Sequence, residues 1–366
     1  MSEWKEYKLG EIAVLNYGKA LAENKRISGN VPVYSSAGIT GWHNEPLVNS
    51  EGLIIGRKGT IGKVYYSNTP FFCIDTAYYI LPNEKIYDLK FLFYKLKTVG
   101  FEDLNEDSAV PGLNRETAYN QEVLLPQLPE QKAIASVLSS LDNKIDLLHR
   151  QNSTLEKMAE TLFRQWFIEE AKEREKTKIG LVLETVLGGT PSTKKPEYWD
   201  GTIPWINSGE VNNFRILKPT KFITELGLAE SNTKLLPIGT TVLAITGATL
   251  GQISLLEIST CANQSVVGII PNETYPKEYV FLWIKYMIDE IILNETGGAQ
   301  PHINKNDVNE TEILVPCNDD LEFIESKIKP LFKKISINSF QINTLIELRD
   351  SLLPKLMSGE ITVNQG

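Results

Sequence analysis

The stretch PEQKAIASVLSSLDNKIDLLHRQNSTLEKMAETLFRQWFIEE, residues 129–170, decides the architecture. From Ile134 the positions Ile134, Leu138, Leu141, Ile145, Leu148, Asn152, Leu155, Ala159, Leu162 and Trp166 follow one another by four, three, four and three, and only Asn152 is not apolar. That spacing is a heptad seam. Pro129 suits a helix start, Glu130 suits the positive end of the helix dipole, and no Gly or Pro follows before residue 170. At 1.5 Å per residue the seam would reach roughly 48 Å. A rod of that length needs a partner.

The partner lies in the same chain. Adding 190 to each position gives Ile324, Ile328, Leu331, Ile335, Asn338, Ile342, Leu345, Arg349, Leu352 and Leu356, a second seam in the same phase with eight apolar positions of ten. Two unrelated surface helices would not share phase without a gap, so the pair is read as an intramolecular antiparallel coiled coil. In the register that places Asn152 opposite Asn338, Ile145 faces Leu345, Leu138 faces Leu352, and Arg349 falls within reach of Asp142. A slip of one heptad would set each Asn against an aliphatic side chain.

The repeat extends beyond the helices. Thr60-Ile61-Gly62 and Pro82-Asn83 match Thr249-Leu250-Gly251 and Pro271-Asn272 at a shift of 189, and Asn114 and Pro126 match Asn304 and Pro316 at 190. Pro32 and Ser36 match Pro204 and Ser208 at only 172, which puts roughly seventeen extra residues of the second copy between Val211 and Thr240. Short apolar runs at 53–56, 63–67 and 77–82, with counterparts at 241–246, 252–257 and 265–271, predict strands. Helices are predicted at 89–99 and 277–293. The fold class expected is α+β: a β-rich head at 1–126, a helix at 127–170, a second head at 171–316 entered through the charged linker 169–178, a second helix at 317–358 and a tail at 359–366. A pseudo-twofold would relate the heads.

At 366 residues the chain has room for more than one core. No apolar run is long enough for a membrane span, and the N-terminus has no targeting pattern. Three widely spaced cysteines suggest neither disulfides nor zinc, so a cytoplasmic protein is expected. The net charge of -9, with no basic segment, weighs against nucleic acid unless local patches or partners supply the cations.

No catalytic or metal site is apparent. GRKGTIGK at 56–63 fails as a phosphate-binding P-loop because Val64 and Arg57 stand where Ser or Thr and Gly are required. It is read as a hairpin whose tip carries Arg57, Lys58 and Lys63, able to meet phosphates or a guanine edge, or else as a solvated polar turn. The second copy has Thr246-Gly247-Ala248-Thr249 there, uncharged. His43, His149 and His302 are isolated, and Asp75 is matched by Gln264, which argues against a shared catalytic carboxylate. Polar loop residues of the types that read base edges are candidate DNA contacts. In the first head they are Lys19, Arg26, Tyr34, Ser35, Ser36, Arg57, Lys58, Lys63, Asn114 and Arg115. In the second they are Thr193, Lys194, Lys195, Tyr198, Trp205, Asn207, Ser208, Arg215, Thr246, His302, Asn304 and Lys305.

The motifs LLPQLPEQKAIASVL (124–138), LDNKI (141–145), LFRQWF (162–167), GGTPSTKKPEYWDGTIPW (188–205), INSGEV (206–211) and AVPGLNR (109–115) resemble the specificity subunit of type I restriction-modification systems. The resemblance covers nearly the whole chain. It implies two target-recognition domains, each reading half of a bipartite double-stranded DNA site, and two helices that dock two methyltransferase (M) subunits, with restriction (R) subunits in the full complex. S-adenosylmethionine, ATP and Mg would then belong to those partners. The second copy departs from the pattern with Cys317-Asn318-Asp319-Asp320 in place of PEQ, and the first lacks the GGTPS turn. A two-headed protein-interaction scaffold without DNA binding is the competing reading, and the acidic composition is its best argument.

Overall fold

The computed structural model describes residues 4–104, 112–170, 174–293 and 303–363. The chain divides into two compact units, residues 1–145 with 344–366 and residues 146–343, so each long helix contributes one end to each unit.

The first unit opens with strand Lys5–Lys8, which pairs antiparallel with Glu122–Leu125. Its main sheet has the order Asn16–Tyr17, Ala77–Ile80, Gly52–Gly56, Val64–Ser67, all antiparallel. A smaller sheet sets Val31–Ser35 between Gly38–His43 and the short parallel strand Phe72–Cys73. The second unit repeats this plan. Lys176–Lys178 pairs with Glu312–Leu314, Glu184–Leu187, Val266–Ile270, Thr241–Ala244 and Ile253–Leu256 form the main sheet in that order, and Trp199–Ile206 lies between Lys221–Ile223 and Cys261–Ala262. Strand Arg215–Ile216, added in parallel beside Ile253–Leu256, has no counterpart among the described residues of the first unit and falls in the inserted region. Part of the stretch expected as linker, 169–178, is therefore strand.

The central strands Gly52–Gly56 and Thr241–Ala244 are buried along their whole length. That is why they read as unbroken apolar runs instead of alternating ones. Helix Leu89–Leu96 is shorter than the 89–99 expected. Asp88 Oδ1 caps its start by accepting from Phe91 N at 2.9 Å, and the left-handed Gly100 opens the next turn.

The first long helix runs Leu128–Arg164 and continues through a single π turn, Gln165–Glu169. The second runs Asn318–Phe323, a π turn Ile324–Ile328, and Lys329–Ser358. None of the twenty seam positions is exposed. In the first unit Ile134 and Leu138 share one core with Leu356, and Arg349 Nη1 meets Asp142 Oδ1 at 2.9 Å. In the second, Asn338 Nδ2 donates to Asn152 Oδ1 at 2.9 Å, while Ala159 and Phe163 share a core with Ile324, Ile328 and Phe332. Within each unit the helix segments run antiparallel.

Each head merges with the helix ends beside it because their apolar faces form one core. A polar tie recurs at the same place. Trp4 Nε1 donates to Glu130 Oε1 at 3.3 Å in the first unit, and Arg174 Nη1 meets Asp320 Oδ1 at 2.8 Å in the second. The PEQ motif supplies a further anchor: Gln131 is buried, accepts from Asp88 N at 2.9 Å and donates to Pro126 O at 2.9 Å.

Candidate nucleic-acid interface

Backbone hydrogen bonds draw four loops of the first head together. Gly18 N donates to Ala77 O, Lys19 N to Cys73 O, Arg57 N to Thr76 O and Leu113 N to Arg57 O. The loops approach so closely at Gly18 that a Cβ would lie 2.0 Å from Ile74 O, which only glycine permits. The second head repeats the framework: Gly188 N to Val266 O, Gly189 N to Ala262 O, Ile245 N to Ser265 O and Ile303 N to Ile245 O. A Cβ on Gly188 would meet Asn263 O at the same 2.0 Å.

This framework corrects the alignment of the hairpin tips. Ile245, not Thr246, occupies the place of Arg57, because Gly251 N reaches back to Ala244 O where Gly62 N reaches Gly56 O. The second tip thus holds one more residue.

In the first head the shared scaffold gathers Lys19, Ser36, Arg57, Lys58, Asn114 and Arg115. Arg57 Nη1 donates to Asp75 O at 3.0 Å, and the guanidinium lies 4.9 Å from the Tyr17 ring centre and 5.7 Å from that of Tyr78. Burial pushes the Tyr78 hydroxyl up to about 12, so it remains a neutral donor, to Leu113 O at 3.1 Å. Arg115 lies 5.1 Å from the same Tyr17 ring. Lys58 and Lys19 are exposed, and Asn114 Oδ1 accepts from Glu116 N at 2.8 Å, capping the short helix Arg115–Tyr119.

Four other expected residues of this head serve its own structure. Tyr34 is buried against Phe71, and Ser35 closes the hairpin by accepting from Ala37 N at 3.1 Å. Arg26 Nη1 donates to Thr40 O at 2.6 Å, and Lys63 is paired with Glu102 at 2.9 Å.

In the second head Thr246, Asn304 and Lys305 stand at the shared scaffold, with Asn304 Oδ1 accepting from Asn306 N at 2.7 Å. Thr193 and Lys194 are exposed, and Ser208 is half-buried in a turn that Asn207 caps, its Oδ1 accepting from Gly209 N at 2.7 Å. Trp205 is buried with its Nε1 donating to Gly189 O at 3.1 Å. Lys195 and the buried Tyr198 are both tied to Glu230. His302 lies outside the described residues.

Arg215 contradicts its expected role. Its side chain is 2% exposed, pairs with Glu257 at 3.2 Å, and sits 4.1 Å from the ring of Phe214 and 4.8 Å from that of Phe332. Burial pulls its guanidinium down to about 10 against the raising effect of Glu257. It packs the added strand against the second long helix and offers nothing to a ligand.

Residues that composition did not single out lie beside these loop clusters. Tyr17 is 47% exposed between the two arginines. In the second head Thr190 hydroxyl donates to the exposed Gln264 amide oxygen. An aromatic residue beside the Gly18 turn was the available signal for Tyr17, and the pairing of Gln264 with Asp75 in the repeat was that for Gln264.

Among the described residues no group of three or more His, Cys, Asp or Glu could hold a metal, and no helix is long and apolar enough to cross a membrane.

The family model for the type I restriction modification DNA specificity domain matches twice, over residues 1–157 and 171–348. The chain belongs to that family. As a specificity subunit with two such domains it contributes DNA sequence specificity, while catalysis in this family is carried by other subunits. Among its relatives, the type I restriction enzyme MjaIX specificity subunit of Methanocaldococcus jannaschii is 25% identical over 86% of this chain and 78% of its own length. The HindI specificity subunit of Haemophilus influenzae is 22% identical over 99% of this chain and 100% of its own. The crystal structure of a type I restriction-modification S subunit from M. genitalium superimposes with a TM-score of 0.69 at 17% identity, covering 100% of this chain and 97% of that one, and so shares the fold. The family assignment sets aside the scaffold without DNA binding.

Proposed function

We propose that each head of this specificity subunit reads one half of a bipartite double-stranded DNA target through its convergent loop cluster, and that the long helices dock two methyltransferase subunits. The observation that carries this reading is the repeated hydrogen-bond framework bearing different side chains: Tyr17, Arg57 and Arg115 in one head, Leu187, Ile245 and Lys305 in the other. One scaffold with two chemistries suits two half-sites of different sequence. Docking is supported by apolar side chains left facing outward on the helices, where Leu147, Met158, Ile337 and Phe340 are 40–51% exposed.

Methyl transfer from S-adenosylmethionine and ATP- and Mg-dependent cleavage then belong to the methyltransferase and restriction subunits, and the complex works in the cytoplasm, where host DNA is. The acidic composition fits a subunit whose partners supply part of the phosphate clamp. The test is co-expression with the cognate methyltransferase subunit and mapping of methylated adenines in host DNA. A split motif absent from a control lacking this chain supports the reading; methylation that does not depend on this chain contradicts it.

A further inference from the structure

Two guanidinium groups from separate loops converge on one ring in the first head. The Cζ atoms of Arg57 and Arg115 lie 4.9 Å and 5.1 Å from the centre of the Tyr17 ring. Neither arginine makes an ion pair among the described residues, and Arg115 Nε is buried without a hydrogen-bond partner. Two like charges against one ring, with no carboxylate paired to either among the described residues, are stabilised only in part by the ring face, and an acceptor-rich ligand would complement them.

We infer that Tyr17, Arg57 and Arg115 form a guanine-reading site in the first head. The inference rests on the two-reader function proposed above and names what one reader takes. Guanine presents two acceptors, N7 and O6, in the major groove, and a guanidinium fork meets both at once. Arg57 is anchored through Nη1 to Asp75 O and lies beside the Tyr78 side chain, which presets the orientation of its guanidinium fork. The Tyr17 ring lies against the Arg57 guanidinium and that of Arg115 and restrains both, so the side chains surrender less conformational freedom on binding. Tyr17 is itself braced edge-on by Tyr78, 5.1 Å away. A pair of lysines, or arginines free to rotate, would meet phosphates equally well but would read no base.

The second head acts as an internal control. On the same backbone framework Leu187 replaces Tyr17 and Ile245, 5% exposed, replaces Arg57, so neither the platform nor the fork exists there. This site is therefore confined to the first head, and the guanine it takes to the half-site that head reads.

The test measures binding of the assembled complex with its methyltransferase subunit to duplexes that carry the mapped motif, each base pair of both half-sites being substituted in turn. For the native protein, replacing one guanine of the first half-site should weaken binding about ten-fold or more. Arg57→Ala and Arg57→Lys should abolish that penalty while leaving the penalties in the second half-site unchanged. Tyr17→Phe, which keeps the ring, should retain the penalty, and Tyr17→Leu, the residue of the second head, should lose most of it. Co-purification with the methyltransferase subunit checks that each variant folds. A split motif whose base penalties are untouched in the arginine variants, or weakened uniformly at every position, would overturn the guanine site and leave the two-reader function standing. Absence of a split motif would instead remove that function.

Discussion

Asn152 and Asn338 meet amide to amide, with Asn338 Nδ2 donating to Asn152 Oδ1 at 2.9 Å and Asn152 Nδ2 donating to Ser339 Oγ at 3.2 Å. Asn338 is fully buried, and its Oδ1 has no partner. The pair therefore costs stability while penalising a slipped helix register, in which each amide would lie against aliphatic side chains. Asn152→Leu alone should destabilise the protein by about 1–3 kcal/mol, since it strands the whole Asn338 amide. The double change to Leu should recover this and raise the melting temperature above that of the native protein. Its methylated motif should tolerate additional spacer lengths, which adenine mapping would show.

The ion pair between Arg215 and Glu257 is enclosed by three phenylalanine rings, those of Phe214, Phe281 and Phe332. Removing one member leaves a buried charge unmatched. Arg215→Ala should cost about 3–5 kcal/mol in denaturant unfolding, and Arg215→Met combined with Glu257→Gln should restore much of it. Base preference in the second half-site should not change in either variant. A change of preference with unchanged stability would return Arg215 to the interface.

Asp320 is buried at the start of the second long helix. Burial acts to raise its carboxyl, but hydrogen bonds from Cys317 N and Trp166 Nε1, with Arg174 close by, outweigh this and hold it below its ordinary 3.8. Its contribution to stability is complete above 3.8 and is lost as pH falls through the depressed folded-state value. Asp320→Asn should be less stable than the native protein near neutrality by about 1–3 kcal/mol, with the difference shrinking as pH is lowered past that range. Unfolding monitored by tryptophan fluorescence between pH 7 and pH 3 measures both curves.

Lys58 is exposed at the first hairpin tip, whereas Lys63, five residues on, is paired with Glu102. Lys58→Ala should weaken DNA binding evenly across sequences and lower the salt dependence by about one released counterion. Lys63→Ala should change the slope less, because Glu102 already offsets that charge. Equal effects would mean that the ion pair opens on DNA.

Much of this organisation is legible in the residues alone. The expected runs 53–56, 77–82 and 241–246 contain the strands Gly52–Gly56, Ala77–Ile80 and Thr241–Ala244, which are apolar enough to be largely enclosed on both faces, and the two heptads leave no seam position fully exposed. The sites were less legible. Arginine in a polar loop and arginine in a two-residue strand look alike in sequence, and only the rings of Phe214, Phe281 and Phe332 and the carboxylate of Glu257 separate Arg215 from Arg57. Ile245 was out of register with Arg57 because the tip gained one residue while the flanking motif Thr-x-Gly kept its spacing, and backbone hydrogen bonds alone locate the gain. Tyr17 escaped notice because its two arginine neighbours come from loops about forty and one hundred residues away, a proximity that no local pattern records.

Exchange of residues 1–126 for the first head of another specificity subunit, followed by adenine mapping of host DNA after co-expression with the methyltransferase subunit, tests the two-reader claim most directly. One half of the motif should change, and the other half and the spacer should stay as they were, because the second head and both helices are retained. A motif altered in both halves, or in neither, would contradict it.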